Sequence, residues 1–401
     1  MKIVIVGDKD HGKSTLIGRL LYDTNSISHE KLEDIRKTRR MHYGGTSELQ
    51  FSFITDALEE ERKQGLTIET TQAFFSSGKR EFSIIDVPGH KEFLRNMVTG
   101  ASQANAAILI VDSKEGMREQ TKRHAYILEF LGIEQAIVAV NKMDLIGFSE
   151  RRFNQIKNDL EEYLNQIGTR PKCFIPISAY KGDNVVMRSH NMPWYSGKTA
   201  IEALDSFKEV PREYDFRMPI QDVYEIGGDK ISVGTILSGS LSRGERVGIF
   251  PLGGEARIRG IITFEGDLEE ATKPRSIGVI FDGGSPVGRG NILCKGRNPL
   301  TLTRTEASVI CMSDGLRVAG KYGFRCTTQE TGCTLEKIVE RIDTTTLEKM
   351  AGDYSLRKTE IGKVILEFER PIALERFTAL PELGRFVLEQ HGEIVAGGVI
   401  T

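Results

Sequence analysis

The chain has 401 residues, 39% of them hydrophobic and 27% charged, and its 54 Lys and Arg nearly balance 56 Asp and Glu for a formal net charge of −2. This is ordinary globular composition, long enough for two to four domains at roughly 100–200 residues each. A near-neutral total excludes the global basic field of a protein that binds nucleic acid or membrane surfaces in bulk.

Residues 2–7 (KIVIVG) form a short apolar, β-branched run, the pattern of a strand buried in a parallel sheet. Directly after it, Gly7-Asp8-Lys9-Asp10-His11-Gly12-Lys13-Ser14 fits G-x-x-x-x-G-K-S, and a helical pattern (LIGRLLYD) follows. Strand, glycine loop and helix in this order are the context in which the pattern cradles phosphates. The glycines let the backbone wrap an anion, and the helix N-terminus adds partial positive charge. Gly7, Asp10, His11, Gly12, Lys13, Ser14 and Thr15 are therefore the candidate phosphate contacts. Lys13 is expected to reach the β- and γ-phosphates, and Ser14 to ligate magnesium, a hard ion that takes few protein oxygens beside the phosphates.

The charged stretch from Glu30 to Arg40 predicts an exposed helix. Its basic run, Arg36-Lys37-Thr38-Arg39-Arg40, reads as a solvated face before it reads as an RNA contact. Next comes Glu61-Arg62-Lys63-Gln64-Gly65-Leu66-Thr67-Ile68. Here Thr67 is placed to bind magnesium by its hydroxyl and the γ-phosphate by its amide, in a segment ordered by GTP and released by GDP. EFSIID (81–86) predicts a strand that ends at Asp86-Val87-Pro88-Gly89-His90. Asp86 can hold magnesium through water, the Gly89 amide can meet the γ-phosphate, and His90 can orient the attacking water.

AAILIVD (106–112) and AIVAVNK (136–142) predict two more strands, with the helical segment EQTKRHAYILEFLG between them. The second runs into Asn141-Lys142-Met143-Asp144. Asp144 can accept from N1–H and the 2-amino group of guanine, a donor pair that adenine lacks. Asn141 is expected to tie this loop to the phosphate loop, and the Lys142 stem to cover the base. CFIPISA (173–179) predicts a further strand ending at Ser178-Ala179, where the Ala179 amide can donate to guanine O6.

Strands alternating with helices imply an α/β P-loop GTPase domain, a mostly parallel sheet with helices on both faces, over residues 1–210. A last helix, TAIEALDSF (199–207), leads into the linker KEVPREYDF. From Arg217 on, short strands alternate with turns such as GGDK, LSRGER and DGGSPVGRG, the texture of barrels. A break near GRNPL (296–300) divides this part into two β-barrel domains, 215–298 and 301–401. Cys173, Cys294, Cys311, Cys326 and Cys333 include no C-x-x-C pair and fit no common zinc spacing, so reduced, mostly buried thiols are expected. With no apolar run near the roughly 18 residues of a membrane helix, the expected setting is the cytoplasm, away from membranes.

The expected reaction is GTP hydrolysis, with GTP or GDP and Mg2+ as ligands. Phosphoryl transfer needs positioning and charge neutralisation more than covalent chemistry. Lys13, magnesium and the loop amides would supply these, with Thr67 and His90 completing the catalytic set. No arginine is placed to act in cis, so slow hydrolysis accelerated by a partner is expected.

These motifs, D-x-D-H-G-K-S-T, E-R-x-x-G-x-T-I, D-x-P-G-H and N-K-M-D, resemble those of the translation-factor class of GTPases over essentially the whole chain. Within that class the chain looks most like the GTPase subunit of bacterial sulfate adenylyltransferase. The runs that carry this likeness are Ser14 to Thr24, Asn96 to Ser102, Ile262 to Ala271, Ile342-Asp343 with Thr346-Leu347-Glu348, and Glu360-Ile361-Gly362. The resemblance implies GTP hydrolysis coupled to adenylyl sulfate formation on a small catalytic partner subunit of the ATP-pyrophosphatase type, with nucleic acid an unlikely partner. The alternative is an elongation or release factor that carries tRNA or a tRNA mimic to the ribosome. His11, where the sulfate branch more usually has aspartate, and Ile220-Gln221-Asp222-Val223-Tyr224 point that way. A third class, a GTP-dependent switch whose only output is shape, also fits the motifs.

Overall fold

A computed structural model describes residues 1–27, 33, 51, 72–86, 104–133, 135–208, 215–283, 287–343, 348–351 and 353–401. The chain forms two compact units, Met1–Glu209 and Val210–Thr401.

The first unit is built on a six-stranded sheet in the order β2-β3-β1-β4-β5-β6. Its strands are β1 (Lys2–Val6), β2 (Gln72–Ser76), β3 (Glu81–Asp86), β4 (Ala106–Asp112), β5 (Ala136–Asn141) and β6 (Phe174–Pro176). All neighbours run parallel except β2, which lies antiparallel on β3 at the edge. Ile3 and Ile5 point to one face of the sheet and Val4 and Val6 to the other, and all four are fully buried. Both faces are therefore covered, which is why the strand sequences are apolar without alternation. Helix α1 (Lys13–Asp23) packs Leu16, Ile17 and Leu20 into one core with Ile3 and Ile5.

Helix α2 (Glu119–Phe130) precedes β5, and α3 (Glu150–Gln166) follows it. Ser149 caps α3 by accepting from the Arg152 amide at 3.3 Å. The short α4 (Ala200–Asp205) starts at a capping box: Thr199 Oγ1 accepts from the Glu202 amide, and the Glu202 carboxylate accepts from the Thr199 amide. The strand expected over 173–179 pairs only from Phe174 to Pro176; beyond it the chain turns, as the Gly182 amide donates to the Ser178 carbonyl at 2.7 Å. The exposed helix expected from Glu30 to Arg40 lies, apart from Glu33, outside the described residues.

The second unit holds two closed six-stranded barrels. The first runs β10-β15-β7-β8-β14-β11 and closes by pairing β10 with β11. Its strands are β7 (Arg217–Ile226), β8 (Asp229–Thr235), β10 (Arg246–Phe250), β11 (Glu255–Thr263), β14 (Ser276–Phe281) and β15 (Ile292–Cys294); β9 (Ser240–Ser242), β12 (Gly266–Leu268) and β13 (Glu270–Thr272) are appended. The second runs β18-β23-β24-β16-β22-β19 and closes β18 on β19. It is formed by β16 (Leu300–Cys311), β18 (Lys321–Cys326), β19 (Gln329–Ile342), β22 (Ile361–Leu374), β23 (Arg385–Gln390) and β24 (Glu393–Ile400), with β17 (Leu316–Arg317), β20 (Lys349–Ala351) and β21 (Ser355–Leu356) as short additions. Each is filled by its own apolar cluster, around Met218, Ile249 and Val279 in the first and Phe324, Leu366 and Leu388 in the second.

The two barrels are joined by an apolar seam of Ile292, Cys294, Ala373, Leu380 and Leu383, beside a fully buried ion pair. Arg217 at the start of β7 places Nη2 2.7 Å and Nε 2.8 Å from the Glu375 carboxylate just after β22. The same guanidinium donates to the carbonyls of Phe216, Lys295 and Arg297. All five cysteines are free thiols, and burial pushes Cys294, Cys326 and Cys333 up to about 12.

Candidate functional site

The parallel strands all end at one edge of the sheet, where open α/β folds place their ligands. Register brings the motifs together there: Ile5 pairs with Asp86, Val6 with Leu109, Asp112 with Asn141, and Val140 with Pro176.

Between β1 and α1 the chain makes two left-handed residues, Asp10 (φ 65°) and Gly12 (φ 94°). A Cβ on Gly12 would sit 2.4 Å from Asn141 Nδ2, and one on Gly7 would sit 2.5 Å from the Ile110 carbonyl oxygen, so glycine is required at both ends of the loop. Helix α1 then begins with no side-chain cap and no acidic residue in its first turn. Such a helix start would suit an anion, which the helix dipole favours. Lys13 Nζ folds over the loop, donating to the carbonyls of Gly7 at 2.7 Å and Asp8 at 2.8 Å. Ser14 and Thr15 occupy the same first turn, half-buried. The backbone of His11 belongs to this loop, but its imidazole turns the other way. It is buried, with Nδ1 3.3 Å from the Ile110 carbonyl and Nε2 3.4 Å from Glu115 Oε2.

The second loop follows β5. Asn141 Nδ2 donates to the His11 carbonyl at 2.9 Å, and its Oδ1 accepts from the Ala179 amide at 2.9 Å. One side chain thus joins the phosphate loop, the β5 loop and the β6 loop. Asp144 lies in the turn Met143–Ile146, and Ser178 Oγ donates to its Oδ1 at 2.6 Å. That bond fixes the direction of the carboxylate, and each of its oxygens keeps a lone pair for a further donor. Lys142 is left-handed (φ 63°), a conformation that costs a non-glycine residue roughly 1–2 kcal/mol and persists only where neighbours enforce it.

Those neighbours were not visible in the motifs. Lys142 Nζ lies 2.7 Å from Asp112 Oδ2, and Ser113 Oγ donates to the Lys142 carbonyl at 2.8 Å. Burial pushes the Asp112 carboxyl up, but Lys142 and the Lys114 and Glu115 amides outweigh it and hold it below the ordinary carboxylate value. A strand-terminal aspartate was the available signal.

His124 on α2 lies near this site. Burial, with Lys13 and Arg123 nearby, pulls its imidazole from 6.5 down to about 3. The unfolded chain therefore takes up this proton near pH 6.5 and the folded chain only near pH 3. Stability from this group is complete above 6.5 and is lost as the pH falls toward 3. In urea titrations between pH 3 and 7, His124→Gln should show a flatter fall of stability on acidification than the parent chain.

Of the other expected site residues, Thr67, Gly89 and His90 lie outside the described residues. Asp86 closes β3 beside Ile5, at the same sheet edge as the phosphate loop. Among the described residues no group of three or more His, Cys, Asp or Glu could hold a metal by itself.

Comparison with known proteins bears on this geometry. The family described as Elongation factor Tu GTP binding domain matches residues 1–220, and the GTP-eEF1A C-terminal domain-like family matches residues 304–401. Elongation factor 1-alpha of Methanopyrus kandleri is 38% identical over 420 aligned positions, covering 100% of this chain and 96% of that protein. Its counterpart from Pyrococcus furiosus is also 38% identical, with 100% and 97% covered, and that from Methanospirillum hungatei 35%, with 100% and 96%.

These relatives overturn the sulfate adenylyltransferase expectation, and with it the small catalytic partner subunit. The physical reason lies in where the misleading run sits. Ile262 to Ala271 forms the surface hairpin of β11 and β12 and the start of β13, with Phe264, Glu265, Gly266 and Asp267 all exposed. Such a turn is set by local hairpin chemistry and carries little about what the protein works with. The charge argument against nucleic acid falls as well. A total of −2 averages over the whole surface and does not describe any one patch of it.

Proposed function

Because the chain belongs to the elongation factor Tu and elongation factor 1-alpha family of GTPases, we propose that it is a translation factor that binds tRNA or a tRNA-shaped partner in its GTP state and releases it after hydrolysis. The observation that carries this reading is that relatives named as elongation factors match the chain from end to end, barrels included. Segments 1–210, 215–298 and 301–401 are taken as the nucleotide domain and two partner-binding domains, working in the cytoplasm.

In this reading the Asp10-to-Thr15 amides and Lys13 hold the β- and γ-phosphates. Asp144, oriented by Ser178, selects guanine, and Ala179 donates to its O6. Asn141 keeps the base and phosphate loops at a fixed spacing, and Lys142 covers the base. Ser14 and Thr67, with Asp86 acting through water, would hold magnesium, which would supply charge neutralisation at the phosphates. Thr67 and Gly89 meet the γ-phosphate by their amides, and His90 orients water for in-line attack.

His90→Ala is expected to bind GTP normally and hydrolyse it at least about tenfold more slowly; single-turnover phosphate release checks this, and an unchanged rate removes His90 from the reaction. The functional reading is tested by spontaneous deacylation of aminoacyl-tRNA. With a slowly hydrolysed GTP analogue the chain should protect the ester, and with GDP it should not. Equal deacylation with and without the chain would overturn tRNA delivery.

A further inference from the structure

The loop that follows β4 holds an arrangement that the nucleotide motifs leave unused. At one end it grips the base loop: Asp112 Oδ2 meets Lys142 Nζ at 2.7 Å, Ser113 Oγ holds the Lys142 carbonyl at 2.8 Å, and the Ser113 amide donates to the Asn141 carbonyl at 2.8 Å. At the other end it grips the phosphate loop, where Glu115 Oε2 lies 3.4 Å from His11 Nε2 while Arg118 Nε holds the same oxygen at 3.0 Å. Asp112 is itself immobilised, because its Oδ1 accepts from the Lys114 amide at 2.7 Å and the Glu115 amide at 3.4 Å.

Lys142 is the left-handed residue that heads the turn carrying Asp144. Its conformation is enforced from both its side chain and its carbonyl by two consecutive residues of this one loop. We propose that Asp112 is a positioning residue for guanine selection, acting through Lys142 on the direction of Asp144, and that Glu115 is a positioning residue for the phosphate grip, acting through His11. Residues 112–118 thus form a clasp that couples the two halves of the nucleotide site. This inference rests on the nucleotide site proposed above.

The two roles predict different signatures. Inosine diphosphate lacks the 2-amino group that the Asp144 carboxylate would accept, so the ratio of IDP to GDP dissociation constants reads base selection apart from phosphate grip. Asp112→Asn keeps the shape but gives up the charge that Lys142 meets. It should weaken GDP about tenfold and IDP far less, so that the ratio collapses. Glu115→Gln should weaken both nucleotides by a similar factor, about threefold, with the ratio unchanged. In a Lys142→Met background, Asp112→Asn should add less than about twofold, since the two residues act as one unit. A parent chain that does not distinguish GDP from IDP sinks the nucleotide site itself. If the parent does distinguish them, the clasp is overturned by an Asp112→Asn chain with an unchanged ratio, by Glu115→Gln altering that ratio, or by effects that multiply in the double variant.

Discussion

Asp144→Asn should weaken GTP by about 100-fold and open the site to xanthosine triphosphate. A carboxylate at this position would accept from both N1–H and the 2-amino group of guanine, with Ser178 Oγ holding its Oδ1 at 2.6 Å. Asparagine offers one acceptor and one donor. Against guanine its amide N–H meets another N–H, which leaves two donors facing each other in a closed site. Xanthine carries a carbonyl in place of the amino group, so the same asparagine then matches it in both positions. Competition titrations of GTP and XTP against a fluorescent nucleotide check the exchange of preference. Loss of GTP with no gain of XTP would mean that Asp144 supports the loop without touching the base.

The second large effect belongs to the barrels. Glu375→Ala should destabilise the second unit by about 3–5 kcal/mol, because it removes the carboxylate that the buried Arg217 guanidinium pairs with. For a unit of this size each kcal/mol moves the transition by roughly 2–4 °C, so calorimetry of the full chain should show the barrel transition falling by about 10 °C. Replacing both partners, Arg217→Met with Glu375→Leu, should recover part of that loss, since the double variant buries no lone charge but gives up the donors to the Phe216, Lys295 and Arg297 carbonyls. A single variant with an unmoved transition would show that water reaches the pair.

What was legible in the sequence follows from how far apart the cooperating residues stand. Gly7, Gly12, Lys13 and Ser14 fall within one turn of chain between a strand and a helix, so their joint purpose is written locally. Asp144 and Ser178 could be read because each follows within three residues of its own apolar strand. The Asp112–Lys142 pair spans neighbouring strand ends and becomes visible only with the register that sets Asp112 against Asn141. Helix α3 was within reach, since Phe153, Ile156, Leu160, Tyr163 and Leu164 repeat at helical spacing and are all buried. Strand β2 was harder: Phe74 is exposed between buried Ala73 and Phe75, and an exposed aromatic hides the alternation of an edge strand. Arg217 and Glu375 could not be paired from sequence at all, because charged residues 158 positions apart look solvated until two barrels close around them. The choice of branch within the class failed because it leaned on a solvent-facing hairpin, where many sequences serve equally well.

The closure of the barrels has a bearing on how such a chain is assembled over evolution. In the first barrel the opening strand β7 pairs with the final strand β15, and in the second β16 pairs with β24. Each barrel therefore begins and ends at the same place on its wall. A module whose entry and exit are hydrogen-bonded neighbours can be spliced between other segments, duplicated in tandem or circularly permuted without redrawing its interior.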